Sequence, residues 1–185
     1  NIDLVITADG HGDGQSFNFY SENKDLAKLT CIKSNSYKTS IGQFYSAITS
    51  VLGFRATRHE GKITGLAAYG KQTDLVELFS SLFSYKDGVL VRFPYHRNNK
   101  SLSWTKLKRT LKLREKVNYS ATIDKVSREY DKNGILLRAY LKQLVEGYSK
   151  EDIAFACQHV SENVIMKEVD LVIKKHFSDQ KLNVG

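Results

Sequence analysis

The stretch His59–Gly70, with the sequence HEGKITGLAAYG, decides how the rest of this chain is interpreted. Its three glycines are spaced four and five residues apart around a short turn rich in alanine and leucine. Side chains this small allow a helix to press its backbone against a neighbouring strand. Glu60 and Lys62 stand at its start, where they could hold an ion pair or contact a phosphate. The alternative is a tightly packed structural helix that begins with two solvated charges.

Length and charge suit one globular domain. The 185 residues are 41% hydrophobic and 26% charged, and the net charge is +8. Nine lysines and arginines, against one acidic residue, lie between Arg92 and Lys116. This block could steer phosphate-rich partners toward the chain, or it could be a solvated basic surface. Lysines and arginines alone, without interleaved aromatic side chains that read bases, do not make a nucleic-acid site, so a nucleic-acid partner is not expected.

Cysteine content and hydropathy point to the cytoplasm. Cys31 and Cys157 are isolated in the sequence, and we expect two free, mostly buried thiols in a reducing compartment. No window approaches eighteen consecutive apolar residues, so the sequence predicts no membrane span. The first residues also lack the basic and then apolar pattern of a secretory signal.

Hydrophobic periodicity predicts strands first and helices later. The three early strands form a meander over Ile2–Asp9, Gln15–Glu22 and Ala27–Lys33. A fourth strand is predicted at Val89–Phe93, and a last one begins at Leu182. The predicted helices cover Ile41–Leu52, residues 61–70, Thr73–Phe83, Trp104–Lys116, Ile123–Glu146 and Lys150–His176. Ser40 and Ser149 are the expected N-caps, and Gly53 is the expected end of the first helix.

Two places in this pattern could hold an anion or a metal. Asp9–Gly14 (DGHGDG) follows a buried strand, and its glycines could turn backbone N–H groups into an anion-binding nest beside the carboxylate of Asp9. Alternatively, its Asp-Gly pair is a hairpin turn. Thr39, Ser40 and Gly42 open a helix whose free N–H groups could bind an anion, although ordinary capping explains them equally well.

Four ordered motifs resemble the O-carbamoyltransferase family, which includes the nodulation-factor and antibiotic carbamoyltransferases. They are Asp9–Gly14, Ser40–Tyr45 with Leu52–Phe54, Glu60–Gly70, and Ile153–Gln158 with Glu162. The resemblance implies an α/β fold, a mixed sheet with helices, as part of an actin-like ATPase or RNase H-like domain. It also implies that the chain is an excised part of a longer polypeptide. The rest of that polypeptide would be its partner. The expected nucleotide loop would follow Leu182, and a metal-binding histidine pair would precede Asn1.

The same resemblance implies an activity and a set of site residues. A carbamoyl group would pass from carbamoyladenylate, made from carbamoyl phosphate and ATP, to a hydroxyl of a sugar or natural product. Asp9 would be a catalytic residue and a ligand of a divalent metal, iron or magnesium, and Lys62 would be the second catalytic residue. The nucleotide-binding residues would be Gly10, Gly12, Thr39, Ser40, Gly42, Glu60 and Gly70. The alternatives are a tRNA-associated relative that transfers a threonylcarbamoyl group, or a fragment without catalytic activity.

The resemblance also suggests how the chain divides. Residues 1–34 would be a β-meander with a glycine-rich loop, and residues 40–84 would hold the helices of the signature. Residues 85–120 would be a basic insertion. Residues 121–185 would be a helical segment that ends in the start of a strand.

Overall fold

A computed structural model describes residues 4–23, 28–86, 89–92 and 132–177 of the chain. The predicted helix Trp104–Lys116 and the strand predicted from Leu182 lie outside these ranges. So does all of the basic block except Arg92. None of the helices in the described ranges combines the length and the apolar character that crossing a bilayer requires.

Three antiparallel strands form the first sheet, in the order β1 (Leu4–Gly12), β2 (Gln15–Asn23) and β3 (Lys28–Ser36). β1 and β3 both run three residues beyond their predicted ends, because each continues to pair with β2. Together with the helices that follow, this sheet confirms the predicted α/β class.

The turn between β1 and β2 is a two-residue hairpin. Gly12 pairs with Gln15, and Asp13 and Gly14 have φ angles of 49° and 79°. Two consecutive positive φ values define the type I′ turn that Asp-Gly favours, because its twist matches that of the flanking strands. The hairpin alternative for Asp9–Gly14 is therefore confirmed, and anion binding by its glycines stays a prediction.

The remaining regular elements of the described chain are helices, apart from one small hairpin. A short 3-10 helix (Tyr37–Thr39) leads into α1 (Ile41–Val51), and α2 (Glu60–Ala67) and α3 (Leu75–Ser80) follow. α3 is shorter than the predicted helix Thr73–Phe83, because Phe83 starts a strand. The strands β4 (Phe83–Lys86) and β5 (Val89–Arg92) pair antiparallel. The last two helices are α4 (Lys132–Leu144) and α5 (Lys150–His176).

Capping residues set the helix ends as predicted. The hydroxyl of Ser40 accepts the N–H of Gln43 at 3.2 Å, which satisfies a free donor in the first turn of α1. α1 ends just before Gly53, whose φ of 84° is easily adopted only by glycine. The hydroxyl of Ser149 accepts the N–H of Asp152 at 3.1 Å, and α5 starts at the next residue, Lys150, as predicted.

Helix α5 joins the two parts of the core. Its 27 residues span about 40 Å at 1.5 Å per residue. The amino-terminal half buries residues such as Ala154 and Cys157 in a cluster shared with α1, α2, α3 and α4. The carboxyl-terminal half places Val172 against Leu4 and Phe19 on one face of the three-stranded sheet. Cys157 is buried as expected, but Cys31 is exposed, contrary to the prediction.

The glycines of the stretch Glu60–Gly70 differ in what surrounds them. A Cβ at Gly70 would lie 2.1 Å from the carbonyl oxygen of Glu151, in the first turn of α5. A Cβ at Gly61 or at Gly65 would meet nothing within 4 Å. α2 packs against α5 rather than against a strand, through Ile63 and Ala67. The predicted close approach is therefore real at Gly70 but wrong at Gly61 and Gly65.

One carboxylate makes this helix contact sensitive to pH. The N–H of Lys71 donates to Asp152 at 3.0 Å, and this bond, followed by one with Ser149, lowers the pKa of Asp152. Because the pKa of Asp152 is lower in the folded chain than in the unfolded chain, its carboxylate stabilises the fold at pH values above the ordinary carboxyl pKa, about 4. This contribution is lost as the pH falls through the pKa of the folded state.

We therefore expect the wild-type chain to be more stable than Asp152→Asn at neutral pH. The advantage should shrink as the pH falls below about 4. Urea midpoints measured across this range test the prediction. A stability difference that stays constant down to strongly acidic pH would contradict it.

Candidate functional site

A bulge in β1 places the Asp9 segment outside the regular sheet. Ala8 pairs with Phe17 and Gly12 pairs with Gln15, so three residues of β1, Asp9–His11, lie opposite a single residue of β2. Extra residues in one strand bend it and redirect its side chains, and such bulges often occur beside active sites.

The Asp9 side chain is exposed and held by local contacts. Its Oδ1 accepts the N–H of His11 at 3.4 Å, and a Cβ on Gly12 would lie 2.8 Å from its Oδ2. The hydroxyl of Ser40 donates to the backbone carbonyl of Asp9 at 3.4 Å, which links the bulge to the start of α1. The ring of His11 packs edge-on against Tyr37, with 4.4 Å between the ring centroids.

Two glycines bring the bulge and α1 into direct contact. A Cβ at Gly42 would lie 2.7 Å from the Cα of Gly10, closer than real Cβ atoms approach a backbone. The first turn of α1 therefore lies directly on the bulge. This contact places the residues of two distant motifs side by side.

A cavity of about 510 Å³ borders this contact. Four of the predicted site residues line it together, namely Asp9, Gly10, Gly42 and Glu60. Arg138 of α4 lines it as well. No sequence motif points to Arg138, because only the periodicity of apolar residues predicts this helical segment.

A second cavity, of about 300 Å³, also borders this contact. Asp9, Gly10 and Gly42 line this cavity too, together with Thr39 and Glu168. The two cavities therefore share a wall made by the bulge of β1 and the first turn of α1. Glu168 is a second functional candidate that sequence reasoning missed.

Comparison with known proteins shows the family of the chain. The family described as carbamoyltransferase N-terminus matches residues 2–185, almost the whole chain. The chain belongs to this family. The match confirms the resemblance that the four motifs indicate.

A relative in Methanocaldococcus jannaschii, itself uncharacterized, is 36% identical over 88 residues. The matched segment is 45% of this chain and 17% of that protein. The carbamoyltransferase N-terminal chain thus corresponds to a small part of this relative.

The other predicted site residues of the carbamoyltransferase chain line neither cavity. The ammonium of Lys62 lies 5.1 Å from the ring centroid of Phe54. Gly70 packs on α5, Gly12 contacts Asp9 and pairs in the hairpin, and Ser40 caps α1. The catalytic role of Lys62 and the nucleotide-binding roles of these residues remain predictions.

Glu60 also has a structural role. Its carboxylate accepts the N–H of Thr57, which has a positive φ of 66°. In the same turn, the Nδ1 atom of His59 accepts the N–H of Arg55 at 3.2 Å. These bonds hold the tight turn before α2, and the turn keeps Glu60 at the rim of the larger cavity.

The described residues of the carbamoyltransferase chain supply only part of a ligand set for a divalent metal. The described residues contain no group of three or more His, Cys, Asp or Glu side chains that could hold a metal ion. Asp9 can supply one carboxylate ligand, of the type that hard divalent cations prefer. A complete metal site therefore needs ligands other than the described residues.

Proposed function

We propose that this chain is the part of a carbamoyltransferase that holds carbamoyladenylate beside the hydroxyl of a sugar or natural-product acceptor. The observation that carries the proposal is the meeting of Asp9, Gly10, Gly42 and Glu60 at one cavity. These residues come from three of the motifs that resemble the O-carbamoyltransferases. Membership of the carbamoyltransferase N-terminus family supports the general reaction.

The reaction needs an electrophile fixed beside a nucleophile. The acceptor oxygen attacks the carbamoyl carbon, a new C–O bond forms, and the anhydride bond to AMP breaks. Arg138 is suited to the phosphate of the adenylate, because a guanidinium can donate two parallel hydrogen bonds to phosphate oxygens. Lys62 would add positive charge near the nucleotide, as predicted from the motif.

The proposal includes a divalent metal, iron or magnesium, with Asp9 as one ligand. A bound metal would polarise the carbamoyl oxygen as a Lewis acid. The remaining metal ligands would come from the longer polypeptide that we propose. The same polypeptide would have the actin-like architecture and would include the domain that makes carbamoyladenylate from carbamoyl phosphate and ATP. A cytoplasmic location is part of the same proposal.

The test is a transfer assay on the full polypeptide that carries this sequence. Carbamoyl phosphate, ATP and a panel of hydroxyl acceptors are supplied, and AMP and the carbamate ester are measured by mass spectrometry. We expect both products to depend on both substrates. ATP consumption without a carbamate on any acceptor, or no AMP release, would overturn the proposal.

The tRNA-associated alternative makes a different prediction. If the basic block between Arg92 and Lys116 bound tRNA, log affinity would fall steeply against log salt, because each phosphate contact releases counterions. We expect weak or absent tRNA binding at low salt instead. Tight binding with a steep slope would favour the tRNA-associated function over transfer to a small acceptor.

A further inference from the structure

Helix α1 carries two polar side chains on the cavity of about 510 Å³ that the proposed reaction does not use. They are Gln43 and Ser46, which are three residues apart and therefore lie on the same face of the helix. Neither belongs to the site residues that the sequence predicts.

Gln43 is held close to the bulge of β1. Its neighbour Gly42 lies so near to Gly10 that an added Cβ would be 2.7 Å from the Cα of that residue. The backbone N–H of Gln43 donates to the hydroxyl of Ser40 at 3.2 Å, and the buried ring of Phe44 fixes how α1 is turned about its axis. The side chain of Gln43 therefore extends from a well-anchored backbone beside the bulge.

The carboxamide of Gln43 is available to a ligand. Its side chain makes no hydrogen bond within the described ranges, since the bond to Ser40 uses the backbone N–H. The residue is also partly buried at the cavity, where a polar group without a partner is costly. A ligand that pairs with both the oxygen and the amino group of the carboxamide would therefore be favoured.

The other polar groups of the cavity suit charged parts of a ligand or are already bonded. Arg138 is the cation that we assign to the phosphate, and Asp9 is the carboxylate that we assign to a metal. The Glu60 carboxylate accepts the N–H of Thr57. Among the described residues that line this cavity, Gln43 alone has a carboxamide, which presents a donor and an acceptor side by side.

We propose that Gln43 binds the carbamoyl group of the adenylate and selects it over other acyl groups, an inference that rests on the proposed function. The carbamoyl group is itself a carboxamide, and two carboxamides pair through two hydrogen bonds. Oε1 of Gln43 accepts an N–H of the carbamoyl group, and Nε2 donates to its carbonyl oxygen. That oxygen has two lone pairs, so one remains for a metal at Asp9.

This pairing discriminates against an acyl group that has a methyl group in place of the amino group. An acetyl group has nearly the same size, but it offers no N–H to Oε1 of Gln43. The oxygen would then lack a partner, and a protein polar group left unpaired lowers the affinity. Gln43 thus recognises the carbamoyl group by hydrogen bonding rather than by size, and the hydroxyl of Ser46 can accept the second N–H.

The experiment measures ligand binding by the full polypeptide that carries this sequence. The probes are the N-carbamoylsulfamate and the N-acetylsulfamate esters of adenosine, which resemble an acyl adenylate and differ only in an amino group against a methyl group. Isothermal titration calorimetry gives the affinity for each ester. We expect the wild-type protein to bind the carbamoyl ester about tenfold or more tightly, because that ester alone completes the pairing with Gln43.

Substitution of Gln43 should change this preference. Leucine is similar in size and favours a helix, so Gln43→Leu should fold and bind the two esters with affinities within about twofold of each other. Gln43→Glu keeps the acceptor but loses the donor to the carbonyl oxygen, so it should bind the carbamoyl ester about tenfold more weakly than the wild type. The control is Gln72→Leu, because Gln72 is exposed and lines neither cavity. This control should keep the wild-type preference.

Three outcomes would overturn the role of Gln43 while leaving the proposed function in place. The first is equal affinity of the wild-type protein for the two esters. The second is a preference that persists in Gln43→Leu, which includes equal weakening of both esters and would mean that Gln43 contacts the adenosine or the sulfamate. If Gln43→Leu does not fold, the third applies, because unchanged affinity of Gln43→Glu for the carbamoyl ester excludes the pairing.

The proposed function fails in a different way. If neither ester binds to the wild-type protein, the adenylate site is rejected, and the role of Gln43 is rejected with it. If the preference exists and is lost in Gln43→Leu, but the transfer assay yields no carbamate on any acceptor, the role of Gln43 in binding is kept and the transfer is rejected.

Discussion

Replacing Gly70 by alanine should lower the free energy of unfolding by about 3 kcal/mol, near the upper end of the usual cost of overpacking. The added Cβ would lie 2.1 Å from the carbonyl oxygen of Glu151 and 2.6 Å from its carbonyl carbon. Both atoms belong to the backbone of α5, so no side-chain rotation relieves the clash. The helix would have to move, and the contact between Lys71 and Asp152 would stretch with it.

Gly65→Ala is the matched control from the same motif. A Cβ at Gly65 meets nothing within 4 Å, and the residue lies inside α2. Alanine is the better helix former, so this variant should gain about 0.5–1 kcal/mol. Thermal or urea unfolding of the two variants measures the difference. Equal destabilisation by both would mean that α2 packs more tightly than the structure indicates.

The glycines of this motif show why their spacing alone predicts a close contact but not which glycine makes it. Three small residues at intervals of four and five predict a close approach somewhere, but the position depends on the direction of a helix eighty residues away. Gly70 meets α5 and Gly65 does not. A pattern within one segment contains no information about that direction.

Elements with strong local signals were predicted well. Helix α5 has its predicted bounds because the Ser149 cap and a long helical pattern act within the segment itself. The hairpin at Asp13 and Gly14 is also local, since the turn depends on two residues with positive φ. The alternative that proved correct followed from the conformational preferences of Asp-Gly.

Elements that depend on partners were missed. Phe83 extends the apolar periodicity of α3, but it belongs to β4, because pairing with β5 outweighs the helical pattern. Glu168 resembles an ordinary surface charge of a helix. Its burial becomes visible only when Lys33 and Asn35 of β3 are known to face it. Asp9 lines both cavities, but the bulge that exposes it depends on pairing with β2, and its catalytic and metal-binding roles stay predictions.

Asp9→Asn should reduce carbamoyl transfer by the full polypeptide about 100-fold or more while leaving the fold intact. The two side chains have nearly the same shape, and the asparagine oxygen can still accept the N–H of His11. The bond from Ser40 ends on the backbone carbonyl of Asp9, so substitution does not remove it. The variant therefore changes charge and leaves the contact with α1 unaltered.

The size of the effect follows from the proposed role of that charge. An amide oxygen is a weaker ligand than a carboxylate for a hard divalent cation. Loss of metal-based stabilisation commonly costs several kcal/mol in the transition state, and each 1.36 kcal/mol is tenfold in rate. The control is Asp13→Asn, because Asn-Gly forms the same type I′ turn and Asp13 lines neither cavity. Its transfer rate should remain near wild type.

Two measurements on Asp9→Asn separate the site from the rest of the reaction. Formation of carbamoyladenylate should survive, because the proposed mechanism assigns that step to another domain, whereas delivery of the carbamoyl group to the acceptor should fail. Loss of both activities would indicate a folding defect or a role for Asp9 in the earlier step. If Asp9→Asn transfers the carbamoyl group near the wild-type rate and keeps its full metal content, Asp9 has a structural role in the bulge and no role in the reaction. The shared wall of the two cavities would then be structural rather than catalytic.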